Sequence, residues 1–228
     1  MQKKVVKVVI FTIIFALCFN MLSKVLTSPN DYRNYQWIGG FYEEEDNSLD
    51  AVYIGSSNCY ATWNPVLAWE EYGIAVYPYC CNAQPIFAVE YLIKEARKTQ
   101  PDATFIVNIN TVSDRKIAES EMHYLLDYMP FSLNKLKLTQ YLSKVSGYTF
   151  EESLEFYLPI IRYHTRYSEL TSEDFSYKID GLKGASHYDT YLNLSKNVSD
   201  LKTSSDEEAV LSEDLVDCIH SLLDYIEK

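Results

Sequence analysis

Ser57 ends the run Val52-Tyr53-Ile54-Gly55-Ser56-Ser57, in which an apolar stretch meets a small polar turn. A serine at such a junction has the chemistry of a nucleophile. Its hydroxyl stands at the carboxyl edge of a parallel strand, where the amides of a following helix can stabilise an oxyanion. The same Gly-Ser-Ser also reads as a turn followed by a helix cap, and both readings are open at this level. Asn108 and Asn110 fall in and just after a second apolar run, Thr104 to Ile109. Asparagine is unfavourable inside a β-run, which favours a site role, with a strand-end cap as the alternative. The chain has four histidines, His123, His164, His187 and His220. His164 stands between Arg162 and Arg166, a pattern that suits an anionic group or the wall of a cleft, and equally a surface or packing residue.

These residues need a frame. Ala51–Ile54, Ala75–Tyr79 and Thr104–Ile109 read as short strands. Asn64 before Pro65 has the chemistry of an N-cap followed by a first helical residue, so a helix is expected near 65–72. Another is expected over 85–99, where Ile86, Val89, Leu92, Ile93 and Ala96 recur at helical spacing. Strand–helix alternation of this kind predicts a parallel sheet with right-handed crossovers. From about 119 to 167 the chain is rich in Leu, Tyr and Lys, which predicts a helical insertion between core strands, a lid or a substrate-facing subdomain. Residues 168–208 are polar and irregular in pattern. Leu211–Ile226 is an amphipathic helix with Glu213 and Asp214 in its first turn, where acidic charge suits the helix dipole.

Composition narrows the function classes. A chain of 228 residues supports one domain with a sizeable core, and 47% hydrophobic content argues for a packed protein. The net charge of −12 excludes bulk neutralisation of phosphates and so argues against nucleic acid as a partner. The 20 tyrosines suit an extracytoplasmic, glycan-facing cleft, although packing at the core edge explains most of them. Five cysteines without a Cys-x-x-Cys pair give no zinc signature, and no cofactor is implied. A link from Cys59 to Cys80 or Cys81 is conceivable, because all three fall at neighbouring strand ends. Lys3, Lys4 and Lys7 precede the apolar run Val8–Phe19, which continues with interruptions to Leu26. Residues 1–26 therefore read as an uncleaved signal-anchor, with a cleaved signal peptide as the alternative. A polar and aromatic juxtamembrane linker, 27–49, leads to the domain 50–228, which lies outside the cell membrane on a single-pass anchor.

Several short blocks together resemble the SGNH/GDSL-type hydrolases, in particular a membrane-anchored bacterial branch. They are Ile54-Gly55-Ser56-Ser57 with Tyr60, Asn64-Pro65, Trp69-Glu70-Glu71-Tyr72-Gly73-Ile74, Asn82-Ala83-Gln84-Pro85, Tyr91–Ala96, Lys98-Thr99-Gln100-Pro101 and Arg162–Tyr167 with Glu173-Asp174-Phe175. The resemblance implies a three-layer, flavodoxin-like parallel sheet and a serine esterase or acyltransferase acting on O-acyl groups of cell-envelope polysaccharide. Ser57 then matches the nucleophile, with Ser56 replacing the family's aspartate. Ala83 takes the position of the glycine whose amide serves the oxyanion, and Asn110, with Asn108 beside it, that of the oxyanion asparagine. Gln84, His164 and Arg166 become candidate cleft residues. The family's base, a histidine three residues after an aspartate on a loop, is matched in spacing by Asp217-Cys218-Ile219-His220 alone, and that match lies inside the amphipathic helix. The resemblance thus predicts a shortened member without the loop that carries the base, or a tethered protein that keeps the cleft and binds without turnover.

Overall fold

The computed structural model describes residues 2–27, 32–112, 116–175, 179–186 and 211–227. Helix α1, Gln2–Leu26, is the apolar segment of the sequence. At about 1.5 Å per residue it extends about 37 Å, enough for the roughly 30 Å hydrocarbon core of a bilayer. It is the one described helix long and apolar enough to cross a membrane, and its apolar side chains face outward rather than into the protein. Its carboxyl end is different. Leu26 is buried, and the Arg166 guanidinium donates to the Leu26 carbonyl at 2.8 Å, satisfying an acceptor that the helix itself leaves open.

The stretch from Tyr32 to Glu43, whose composition suggests a spacer, is a run of tight helical turns that packs onto the sheet. Trp37, Ile38 and Phe41 are buried, and the Tyr77 hydroxyl donates to the Gln36 carbonyl at 2.9 Å. Aromatic side chains bury large apolar areas, so a short segment carrying several of them gains more from packing than from solvation.

Three strands follow the predicted pattern: β1, Ala51–Gly55; β2, Val76–Cys80; and β3, Thr104–Val107. They form a parallel sheet in the order β2-β1-β3, with Ala51 paired to both Val76 and Thr104. Side chains alternate across it. Val52, Ile54, Tyr77 and Tyr79 enter the main core, whereas Tyr53 and Cys80 join a smaller cluster with Trp37, Cys59 and Tyr60 on the opposite face. Between β1 and β2 lie α2, Ser57–Thr62, and α3, Pro65–Tyr72. The Asn64 side chain caps α3 by accepting from the Leu67 amide at 3.1 Å, and Gly73 ends it at φ 65°. The crossover from β2 to β3 is α4, Val89–Ala96, entered through a 3-10 turn at Ile86–Ala88.

The helical region consists of α5, Glu119–Leu126; α6, Leu133–Val145; α7, Phe150–Tyr157; and a short turn at Ile160–Tyr163. Met122, Leu125, Leu126, Leu138, Leu142 and Phe156 belong to the same core as β1 and β2. The region is therefore part of the domain's packing rather than a detached lid, and no strand follows it among the described residues. Helix α8, Glu213–Ile226, adds Leu215, Cys218 and Leu222 to that core. The architecture is a mixed α/β domain, mostly helical, around a small parallel sheet. Among the described residues β3 pairs only with β1, and Ile106 and Ile109 are exposed on and beside it.

Candidate functional site

Gly55 ends β1 and Ser57 is the first residue of α2, so the serine lies at the strand-to-helix turn that its sequence predicts. Among the described residues, nothing hydrogen-bonds to its hydroxyl. Gly55 is dictated by close approach. A Cβ there would lie 2.4 Å from Cys59 Sγ and 2.6 Å from Asn108 Cβ, both inside contact distance. The absence of a side chain is what brings the end of β3 against the end of β1.

Asn108 follows β3 directly, and its amide continues the ladder by donating to the Ile54 carbonyl at 2.8 Å. Its side chain turns back on the loop: Oδ1 accepts from the Asn110 amide at 2.9 Å, and Nδ2 donates to the Tyr53 hydroxyl at 3.1 Å. Asn108 and Asn110 do not share a strand face. The strand stops at Val107 because the Asn108 side chain competes for the next backbone amide and starts a 3-10 turn, Ile109–Thr111. Asn110 is exposed on that turn, so Asn108 is the asparagine that faces β1.

The loop after β2 carries two features that packing alone does not require. Ala83 has φ 50°, the left-handed region that costs a side-chain-bearing residue about 1–2 kcal/mol and suits glycine. Gln84 is 2% exposed, and neither end of its amide has a partner among the described residues. Such an unpaired polar group costs about 1–3 kcal/mol. This loop is tied to α2 by a short hydrogen bond from the Tyr60 hydroxyl to Asn82 Oδ1, while the Tyr60 ring stacks on Trp37 with centroids 3.6 Å apart.

Beneath the turn lie Cys59 and Cys80, both buried free thiols. A hydrogen bond with Cys80 holds the Cys59 thiol below its usual range, whereas burial drives Cys80 well above it. Burial likewise raises Tyr53. These three residues support the site from below, and the serine motif alone does not point to them. Their signal was the period of two, which sets Tyr53 and Cys80 on one face of the sheet.

The remaining candidates lie elsewhere. Arg166 is engaged with Leu26 and, at 2.7 Å, with the buried carboxylate of Asp174. His164 is exposed, with Nδ1 2.8 Å from the Ile161 carbonyl. Among the described residues, neither hydrogen-bonds to the loops after β1, β2 or β3. His220 is an exposed residue of α8, so Asp217 and His220 are helix neighbours rather than a loop-borne pair. His123 is buried on α5 against Asp127, and His187 lies outside the described residues. A groove of about 540 Å³ opens at the opposite edge of the sheet, where Leu49, Trp69, Ala75 and Val76 meet the carboxylates of Glu43 and Glu44. It is not the space above Ser57.

No family model, no curated protein and no solved structure matches this chain. The resemblance to SGNH/GDSL-type hydrolases rests on the short sequence motifs alone.

Proposed function

We propose that this chain is a membrane-anchored, extracytoplasmic serine esterase or acyltransferase of the SGNH/GDSL type, acting on O-acyl groups of cell-envelope glycans. The observation that carries the reading is the placement of Ser57, Ala83 and Asn108 on the segments that directly follow three adjacent parallel strands. Loops at the carboxyl edge of an open parallel sheet are where such folds bind ligands, and the order β2-β1-β3 begins the flavodoxin-like series. The left-handed backbone of Ala83, which suits glycine, further supports matching it to the glycine that the resemblance expects there.

In this mechanism Ser57 Oγ attacks the acyl carbonyl. The carbonyl oxygen takes up negative charge and receives hydrogen bonds from the amides of Ser57 and Ala83 and from the Asn108 side chain, as in other oxyanion sites. Collapse of the intermediate releases the glycan hydroxyl and leaves an acyl-serine. Water then completes hydrolysis, or a second glycan hydroxyl completes transfer. The proton of Ser57 needs a base, which contributes about 10²–10⁴ to such rates. Lys3, Lys4 and Lys7 before the apolar helix support an orientation with the short tail inside and the domain outside.

A second reading, a tethered protein that binds glycan without turnover, is favoured by one observation: no described histidine bonds to Ser57. The full-length chain in detergent, treated with a serine-reactive fluorophosphonate and read by peptide mass spectrometry beside Ser57→Ala, separates the two. The esterase reading expects labelling confined to Ser57. A folded sample without labelling sinks it and leaves the binding protein.

A further inference from the structure

A polar cluster between α5 and α7 has no role in the chemistry of Ser57. Glu119 and His123 lie one turn apart on α5, and Glu155 projects from α7, with donor atoms of all three within 4.8 Å of one another. The His123 side chain is 4% exposed. Its Nδ1 lies 3.0 and 3.1 Å from the two carboxylate oxygens of Asp127, which is itself 1% exposed. The rings of Phe156 and Tyr163 pack on the imidazole, and the Tyr163 hydroxyl donates to Asp127 at 2.7 Å. The imidazole is thus fixed in orientation. Its other nitrogen, Nε2, is buried without a hydrogen-bond partner among the described residues and lies 3.7 Å from Glu155 Oε1.

We infer that Glu119, His123 and Glu155 form a binding site for one first-row divalent metal ion, with zinc the favoured occupant. An imidazole that donates Nδ1–H to a buried carboxylate presents the Nε2 lone pair, the arrangement that orients metal-bound histidines in many sites. One imidazole and two carboxylates suit zinc. Tetrahedral zinc spaces its nitrogen and oxygen donors about 3.3 Å apart, so the Nε2–Glu155 separation needs a change of only a few tenths of an ångström. Three protein donors leave a fourth position for water or for a substrate oxygen.

Charge supports the same conclusion. Glu119 and Glu155 share the Arg162 guanidinium, which makes a short ion pair with Glu119 and lies 3.6 Å from Glu155, while Asp127 also attracts the buried Lys135 amine from α6. That guanidinium is the stand-in that an incoming ion displaces, and its side chain, 34% exposed, has a route to solvent.

The test uses the full-length chain in detergent, stripped with a chelator, titrated with Zn²⁺ by calorimetry and, after dialysis, assayed for metal by mass spectrometry. One zinc per chain is expected. Glu119→Gln and Glu155→Gln each weaken binding at least tenfold while leaving the circular dichroism spectrum unchanged. Arg162→Gln tightens it several-fold, because the competing cation is gone. Co²⁺ in place of zinc gives visible absorption whose intensity drops in Glu155→Gln, a readout that folding alone does not move. Absence of stoichiometric zinc, or binding that survives in the Glu119→Gln/Glu155→Gln double variant, overturns the site. None of these readouts depends on Ser57 being a nucleophile.

Discussion

The loops at the carboxyl edge of the sheet and the polar cluster between α5 and α7 both hold several polar groups in fixed relation, by different means. At the sheet edge the groups come from three loops, and the backbone does the holding. Gly55 permits the approach of Asn108, Ala83 accepts a strained φ, and the Asn108 side chain is oriented by Tyr53 and the Asn110 amide. In the cluster, helical periodicity does the work. Glu119, His123 and Asp127 repeat every four residues along one stripe, and a single side chain from α7 completes the set. The first arrangement leaves a backbone strained, and the second leaves one imidazole nitrogen unpaired. A site made of loops invests in conformation, whereas one made of helices leaves its unfilled valence on a side chain.

The largest effect expected is catalytic. If the sheet edge is an oxyanion site, Asn108→Ala lowers kcat for ester turnover by about 10²–10³, while Asn110→Ala changes it little. Equal losses in both variants would break the distinction between the inward asparagine and the exposed one. Circular dichroism on each variant guards against a simple loss of fold.

Next comes Lys135, on α6 in the helical region. It is 7% exposed, donates to the Met129 carbonyl at 2.9 Å, and burial lowers its pKa to about 8 despite attraction from Asp127 and Glu95. The unfolded chain keeps this amine charged to about pH 10.5, the folded chain only to about 8. Between those values the unfolded state binds the extra proton, so stability rises with pH. Below pH 8 the cost of burying the charge is fully present, up to about 3 kcal/mol. Lys135→Met is therefore expected to stabilise the protein at neutral pH, with its advantage over wild type shrinking from pH 8 to 10.5. Urea titrations of both proteins across that window measure the difference. A pH-independent gap would show that the lysine's charge is not what burial penalises.

The smallest effect concerns Ala83. Ala83→Gly relieves the left-handed strain but loosens the unfolded chain, for a net gain of up to about 1 kcal/mol. Denaturant midpoints check this. A destabilised variant would mean that the loop after β2 relaxes away from φ 50° in solution, and the contrast between a strained edge and an unstrained cluster would fall with it.

Much of the frame was legible in the chain. Short apolar runs alternating with helical patterns located the three described strands within a few residues, because strands that pack their side chains against helices read as short apolar runs. The Asn64-Pro65 signal located α3, since capping chemistry is local. The helical character of 119–167 followed from its composition. The site was less legible. The motif matched Asn110 to the oxyanion position with Asn108 beside it, and only the turn that ends β3 exposes Asn110 and leaves Asn108 facing β1. Arg166 stood beside His164 in a motif, yet its partners are the end of α1 and Asp174, fixed by contacts across 140 and 8 residues. The spacing of Glu119, His123 and Asp127 was open to reading on a helix, but nothing in it announces Glu155.

What the sequence by itself determined is therefore what depends on near neighbours: an apolar helix long enough for a membrane, parallel strand–helix units, caps, and a serine at a strand-to-helix turn. Tertiary structure alone decided which polar groups meet. It set the packing of Tyr32–Glu43 onto the sheet, the inward choice of Asn108, the glycine-like backbone of Ala83, and the junction of Glu155 with His123. The physical reason is range. Hydrogen bonding and steric preference act over a few residues of chain, whereas close packing brings together groups that the chain itself keeps far apart.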